Sequence, residues 1–313
     1  MRIEDAIVAD LNVPDTLIKE AVALARVRVK KFAIPKKSGG HREIYHPSKK
    51  LKVVQYWIMR KVLAEMPVHD AAMAYREGTS ILHNAEAHVE NRFFLKMDLK
   101  DFFPSIRFQD FLPYLEQWHS STRPTWALDE NSKEFINKAC FYKQDRLAIG
   151  YPSSPLISNI VMHEFDTRIV GETASGKYGA VVYTRYADDM VFSTNQAGAC
   201  REIYKAIEAV IKSNKAPRLK INTDKTRFGS STGGTASVTG LRVCTDGHIT
   251  INRKLKDHVR LMLSLFKKGK LPADEVPSLA GHLAYCHHVA PQFYSGLSKK
   301  YFKEIHRIRA KDL

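Results

Sequence analysis

Three aspartates are the side chains of this 313-residue chain best suited to chemistry on a phosphate ester. Asp98 ends an apolar run, Phe93-Phe94-Leu95-Lys96-Met97-Asp98, that reads as a buried strand. Asp188 and Asp189 stand at the reversal between two further strand-like runs, Val181 to Tyr186 and Met190 to Ser193. Transfer of a nucleotidyl group asks little covalent help of a protein, but the triphosphate and the attacking hydroxyl must be held in line with their charge neutralised. Two magnesium ions about 4 Å apart do this, and hard oxygen ligands hold them. The three carboxylates form such a cage if their strands lie side by side. Taken alone, the same residues are equally well explained as solvent-exposed turn and cap acids, because Asp tolerates turn conformations.

The rest of the chain narrows the partner. A formal charge of +16, from 49 Lys and Arg against 33 Asp and Glu, is spread from Lys30 to Lys311 with no separable basic tail. A long polyanion is the partner such a surface favours, and a merely solvated cationic surface is the plainer alternative. With 44% hydrophobic residues the chain can bury a substantial core. The four cysteines, Cys140, Cys200, Cys244 and Cys286, form no pair at zinc-knuckle or redox spacing, so buried free thiols in a reducing compartment are expected. Met1-Arg2-Ile3-Glu4-Asp5 carries acids where a signal peptide needs bases and then an apolar stretch, and no apolar run approaches bilayer length. A cytoplasmic protein with no membrane partner is expected.

The elements that must position the acids alternate helix, strand and turn, as in an α+β layer fold. Apolar spacing predicts a helical lead-in over about 3–28, then a basic hairpin in which Phe32-Ala33-Ile34-Pro35 and Arg42-Glu43-Ile44-Tyr45 flank Lys36-Lys37-Ser38-Gly39-Gly40. A helix over 51–66 is closed by Pro67. Between the two acidic points the pattern predicts a helix over about 129–142 and a loop, Ile149-Gly150-Tyr151-Pro152-Ser153-Ser154-Pro155, feeding a helix to Ile169. After a helix over 201–212, runs at Leu219 to Ile221, Ala236 to Val243 and His248 to Ile251 are expected to extend the sheet. From Lys254 onward the pattern is helical and strongly basic.

Three of these segments resemble motifs of the reverse transcriptase family, in the family's order: Asp98-Leu99-Lys100-Asp101-Phe102-Phe103, the Gly150 to Pro155 loop, and Tyr186-Ala187-Asp188-Asp189. The resemblance implies a right-hand polymerase with fingers, an antiparallel palm sheet and a C-terminal helical thumb. Fingers and N-terminal helices would occupy 1–92, the palm 93–252 with inserted fingers helices at about 115–148, and a basic thumb 253–313. It implies that Asp98 and Asp188 are the principal ligands of two Mg²⁺ ions, with Mn²⁺ able to substitute, and that Asp189 coordinates more weakly. Phe103 matches the family's aromatic gate, which crowds a ribose 2′-hydroxyl and so favours deoxynucleoside triphosphates; without the motif it would read as a core phenylalanine beside Phe102. Lys36 or Lys37, with Arg42, resemble the fingers residues that grip the triphosphate, and Arg suits bidentate phosphate contact better. One position departs from the pattern. Ile149 stands before Gly150 where most members carry glutamine, so contact with the nucleotide there is apolar or through backbone.

Two shorter motifs, Asn84-Ala85-Glu86-Ala87-His88 and Val238-Thr239-Gly240, look like signatures of the bacterial retron reverse transcriptases. Asn84 and His88, one helical turn apart, are expected to share a face and to bond a nucleic-acid backbone or a neighbouring loop. On their own they would be a cap and a surface histidine, and Val238-Thr239-Gly240 an ordinary strand and turn. His83 and His88 have no acid at ligand spacing, which excludes a zinc site there. The retron resemblance implies an enzyme that copies part of its own structured non-coding RNA from a guanosine 2′-hydroxyl, leaving a 2′,5′ branch, and that acts with an effector protein in defence against phage. Lys254, Lys256, Arg260, Lys299, Lys300 and Lys303 would then meet a hairpin of that RNA. The competing readings are a reverse transcriptase of a group II intron or diversity-generating element, and a nucleic-acid scaffold that restrains an effector.

Overall fold

The computed structural model describes residues 1–35 and 39–310. Two short helices, α1 (Ile3–Leu11) and α2 (Asp15–Ala23), lead in, and Ile3, Ile7, Ile18 and Val22 turn into the core at helical spacing. The basic hairpin forms as β1 (Val29–Pro35) and β2 (His41–Pro47), antiparallel, with Arg42 opposite Ile34. Helix α3 (Lys49–Lys61) starts where the Ser48 hydroxyl accepts from the Leu51 N–H, and a single 3₁₀ turn at Leu63–Glu65 carries the chain to Pro67. Ser80 caps α4 (Ile81–Glu86) in the same way.

The central sheet begins with β3 (Phe93–Asp98). Helices α5 (Phe102–Ser105), α6 (Phe108–Thr122) and α7 (Glu130–Cys140) follow, the last capped by Asp129 accepting from the Ser132 N–H. The predicted single helix up to Ile169 is two, α8 (Ser154–Val161) and α9 (His163–Thr173). Then come β4 (Val181–Tyr186), β5 (Asp189–Thr194), α10 (Ala199–Ser213) and β6 (Arg227–Ser230). The sheet order is β4-β5-β3-β6, antiparallel throughout, so β3 lies at the interior beside the hairpin that carries Asp188.

The expected extension of this sheet is corrected. Residues 219–221 contribute one isolated bridge, Leu99 to Ile221, and β6 takes the edge instead. Strands β7 (Ser237–Val238), β8 (Leu241–Val243) and β9 (Ile249–Ile251) form a separate three-stranded sheet. Its apolar residues Val238, Leu241, Val243 and Ile251 join a second core with α11 (Arg253–Lys267), α12 (Val276–Val289), α13 (Pro291–Lys300) and α14 (Phe302–Arg309). Ala85, Phe94 and Val191 reach that core from α4 and the central sheet. Residues on both sides of position 252 therefore share one packed core. A strand pattern says that a segment is extended, not which sheet takes it.

Candidate active site

The register places the acids. Asp98 is the Cα partner of Asp189 in the β3–β5 pairing, and the Leu99 N–H donates to the Asp188 carbonyl at 2.9 Å, so the end of β3 is fixed against the hairpin turn. That turn needs a left-handed residue, and Ala187 supplies it at φ +57°. Asp98, Asp188 and Asp189 line one cavity of about 560 Å³, and Arg42, Lys96 and Lys225 line it with them. The hairpin thus brings Arg42 to the cavity of the acids; Lys36 and Lys37 lie outside the described residues.

Three carboxylates at one cavity repel one another and need cations. Burial, then the neighbouring charges of Asp98 and Asp189, push Asp188 up to about 6. Two lysines supply part of the compensation: Lys225 Nζ donates to Asp98 Oδ2 at 2.8 Å and Lys96 Nζ to Asp189 Oδ2 at 2.9 Å. Asn222 Nδ2 donates to the other Asp98 oxygen at 3.0 Å. No local pattern in the sequence ties Asn222, Lys225 or Lys96 to these acids, because their partners lie 124, 127 and 93 residues away. An all-oxygen carboxylate set, with one member held toward protonation by burial and by its neighbours, fits hard divalent cations.

Behind the turn lies a second unforeseen group. Arg185 and Asp166 are both fully buried and ion-paired at 2.7 Å, and Arg185 Nη1 donates to the Ala187 carbonyl at 3.3 Å. The backbone of Arg185 also pairs with Ala71 and Met73, which ties the hairpin to the segment carrying Tyr75. Tyr75 is half-exposed in the left-handed region at φ +61°, between Phe103 at 6.5 Å and Tyr186 at 6.4 Å, ring centre to ring centre. Phe103 is half-buried, edge-on to Phe102. The loop holding Ile149 and Gly150 docks on the hairpin: the Tyr45 N–H donates to the Ile149 carbonyl at 2.8 Å. Gly150, at φ +104°, lies so close that an added Cβ would stand 2.6 Å from the Tyr45 carbonyl oxygen. Neither Phe103 nor this loop lines the acids' cavity.

Within the accessory motifs Asn84, His88 and Val238 are buried, Thr239 is half-buried and Gly240 is exposed. Asn84 and His88 are fully buried, and His88 lies beyond the end of α4. The two ring nitrogens of His88 are taken by Ser193 Oγ and Thr184 Oγ1, each at 2.7 Å, and neither side-chain amide atom of Asn84 meets a partner among the described residues. Val238 is fully buried in the second core, while the left-handed pair Thr239-Gly240 turns the chain and Thr239 Oγ1 donates to the Ile81 carbonyl at 3.2 Å. The two motifs are halves of one joint that fastens the second core to the central sheet.

The cationic residues of the C-terminal helices do face solvent. Lys254, Arg260, Lys299, Lys300 and Lys303 are exposed and Lys256 is half-buried. Arg260 is partly neutralised by Asp257 at 2.9 Å. At the β8–β9 turn, Cys244, Asp246 and His248 bring ligand-type atoms within 4.8 Å of one another, but they do not line the acids' cavity, and Asp246 Oδ1 is already bonded to His248 Nδ1 at 2.5 Å. No helix among the described residues is long and apolar enough to cross a membrane.

A central antiparallel sheet presenting three carboxylates beneath a basic hairpin defines the palm and fingers of a nucleotide polymerase. Residues 34–262 match the family model described as reverse transcriptase (RNA-dependent DNA polymerase). The chain is 43% identical over 279 residues to the Retron Ec73 reverse transcriptase of Escherichia coli, covering 88% of each chain. It is 31% identical over 294 residues to the Retron Ec83 reverse transcriptase of the same organism, covering 92% of this chain and 90% of that one. Among solved structures it is similar to telomerase from Candida albicans in complex with a TWJ fragment of telomeric RNA, at 12% identity and a TM-score of 0.49, over 90% of this chain and 59% of that one. The chain belongs to the reverse transcriptase family, among the retron enzymes, and is an RNA-directed DNA polymerase.

Proposed function

We propose that this reverse transcriptase copies part of its own structured non-coding RNA into a small DNA that stays joined to the RNA through a 2′,5′ branch, and that the product works with an effector protein in defence against phage. The observation that carries the catalytic part is that Asp98 and Asp189 stand on paired strand ends, with Asp188 in the adjoining turn, and that all three line one cavity with Arg42. Asp98 and Asp188, with Asp189 as the weaker ligand, would hold two Mg²⁺ ions, which supply charge neutralisation for the triphosphate and acidify the attacking hydroxyl. Arg42 binds the triphosphate from the fingers side. Lys225 sits against Asp98 and Lys96 against Asp189, so two ammonium groups offset part of the negative charge of the cluster. Phe103, backed by Phe102 and Tyr75, presents an aromatic edge to the nucleotide sugar. The retron part of the proposal is supported by the 43% identity to the Ec73 enzyme over most of both chains.

The test is to purify the protein from its native host and from a host carrying Asp188→Asn, then ask what nucleic acid accompanies each. The wild type should bring a defined small DNA covalently attached to RNA. The variant, isosteric but one charge poorer, should bring the RNA without DNA. DNA of normal amount in the variant would overturn the site; no branched species with the wild type would overturn the priming reading.

A further inference from the structure

We infer that the cleft between α11 and α13 is a pocket for one unstacked nucleobase of a bound RNA. This deepens the proposed thumb–RNA contact and rests on it: the basic residues there would meet phosphates, which carry no sequence or loop information, whereas this cleft has the build of a base-reading site. It encloses about 370 Å³ and is lined by Arg260, Gln292, Phe293, Gly296, Lys300 and Tyr301, together with Leu297. Phe293 is only half-buried, and two cations stand over its ring, Lys256 Nζ at 5.4 Å and Arg260 Cζ at 5.1 Å from the centroid. Lys300 Nζ stands 5.4 Å from the centre of the Tyr301 ring.

The floor is open because of one residue. Gly296 lies in the body of a ten-residue helix, where glycine costs about 1 kcal/mol relative to alanine. It has no left-handed φ to excuse it, and an added Cβ would meet nothing within 4 Å. Neither backbone geometry nor close packing demands glycine here, and what its missing side chain leaves is the space of the cleft. Aromatic rings at the wall and cations at the rim are the pairing that unstacked bases seek, the ring taking the π-face and the cations the flanking phosphates. A protein partner would find a rim of net positive charge, which Asp257 offsets only in part; an A-form stem alone would leave the cleft unused.

The experiment compares two RNA probes: a blunt 12-base-pair duplex, and the same stem closed by a hexanucleotide loop of random sequence. It uses the full chain and the variants Gly296→Ala and Gly296→Leu, which progressively fill the cleft while leaving every charge and every core side chain in place. Wild type should bind the looped probe tighter than the duplex by roughly 5- to 150-fold, the range for stacking one base. Gly296→Ala should shrink that preference and Gly296→Leu abolish it, with duplex affinity and its salt dependence unchanged. Ultraviolet cross-linking of the wild-type complex should place a nucleotide adduct on the peptide containing Phe293 or Tyr301. A loop preference that survives Gly296→Leu, or no preference in wild type, overturns the pocket. Failure of the underlying thumb reading looks different: neither probe would lose affinity when Lys254, Lys299 and Lys303 are neutralised together.

Discussion

Arg185 grips Asp166 with two nitrogens, Nε at 2.9 Å from Oδ1 and Nη2 at 2.7 Å from Oδ2, and neither side chain has any exposed surface. Tyr183 donates its hydroxyl to the same carboxylate at 2.7 Å, and Asn159 Oδ1 accepts from Arg185 Nη1 at 3.2 Å. The guanidinium therefore joins α9 and α8 to β4, and its remaining bond reaches the carbonyl of Ala187, the left-handed residue that aims Asp188. Only a planar fork can do all of this at once.

It follows that Arg185 positions the acids without touching substrate. Arg185→Lys keeps the charge and loses the fork, so the turn loosens: kcat of primer extension should fall at least tenfold while KM for the deoxynucleotide stays within about twofold, since the phosphate and sugar contacts are elsewhere. Arg185→Met should unfold more readily by about 3–5 kcal/mol, because it strands a buried carboxylate. Steady-state kinetics well below the melting temperature separate the two effects. A lysine variant with normal kcat would remove the positioning role and leave a purely structural pair.

How much of this was legible follows from the range of each interaction. Asp98 and the Asp188-Asp189 turn could be read because a strand ending in an acid and an acidic hairpin tip are local patterns, and the hairpin over 29–47 for the same reason. The partners of Asp98, Asn222 and Lys225, lie 124 and 127 residues away, and no local pattern joins them. Arg185 and Asp166 have the types of surface charges, and burial is what separates them from the rest. His88 was expected at the surface because a lone histidine near a short helix has no apolar signature; its two hydroxyl partners come from β4 and β5. The strands between 237 and 251 are legible as strands but not as a separate sheet, since alternation gives a buried face and not the identity of the layer that covers it.

His88 makes the joint acid-sensitive. Burial lowers its pKa to about 4 from the ordinary 6.5, so the unfolded chain takes up a proton that the native joint excludes. Stability from this group is fully present above pH 6.5 and is lost as the pH falls from there toward 4, amounting to about 2 kcal/mol by pH 5. Denaturant melts at pH 7.5 and pH 5 should show that loss over and above the general acid effect. His88→Gln, which keeps polar atoms without a titrating ring, should be less stable at pH 7.5 and lose less between the two. Equal losses in both proteins would show that His88 does not carry the acid dependence.

Gly150 sets how closely the basic hairpin of β1 and β2 meets the loop that precedes α8. An alanine there would force its Cβ against the Tyr45 carbonyl and would also hold a left-handed backbone that L residues avoid. The hairpin must then move away, and Arg42 moves with it, since both stand on β2. Gly150→Ala should raise KM for deoxynucleoside triphosphates severalfold with little change in affinity for the RNA template. Unchanged KM would mean that the hairpin position does not govern nucleotide binding.

Phe103 tests whether the aromatic cluster selects the sugar. Its ring is held edge-on against Phe102 at 5.4 Å and lies 6.5 Å from Tyr75, so it is braced on one side and half-exposed on the other. In the proposed role a braced ring would not yield to an extra hydroxyl, and that clash would be the basis of discrimination. Phe103→Ala should therefore raise the ratio of ribonucleotide to deoxyribonucleotide kcat/KM by at least tenfold, mostly through better use of ribonucleotides. Removing a half-buried ring also costs stability, so each variant is assayed below its own melting temperature. Phe103→Leu provides the internal scale: a smaller, more flexible side chain should fall between wild type and alanine. Tyr75→Phe keeps the brace and should leave the ratio near wild type, whereas Tyr75→Ala should relax it partway by letting Phe103 swing. If alanine at 103 leaves the ratio unaltered while total activity falls, the ring is a packing residue and sugar choice is made by another contact.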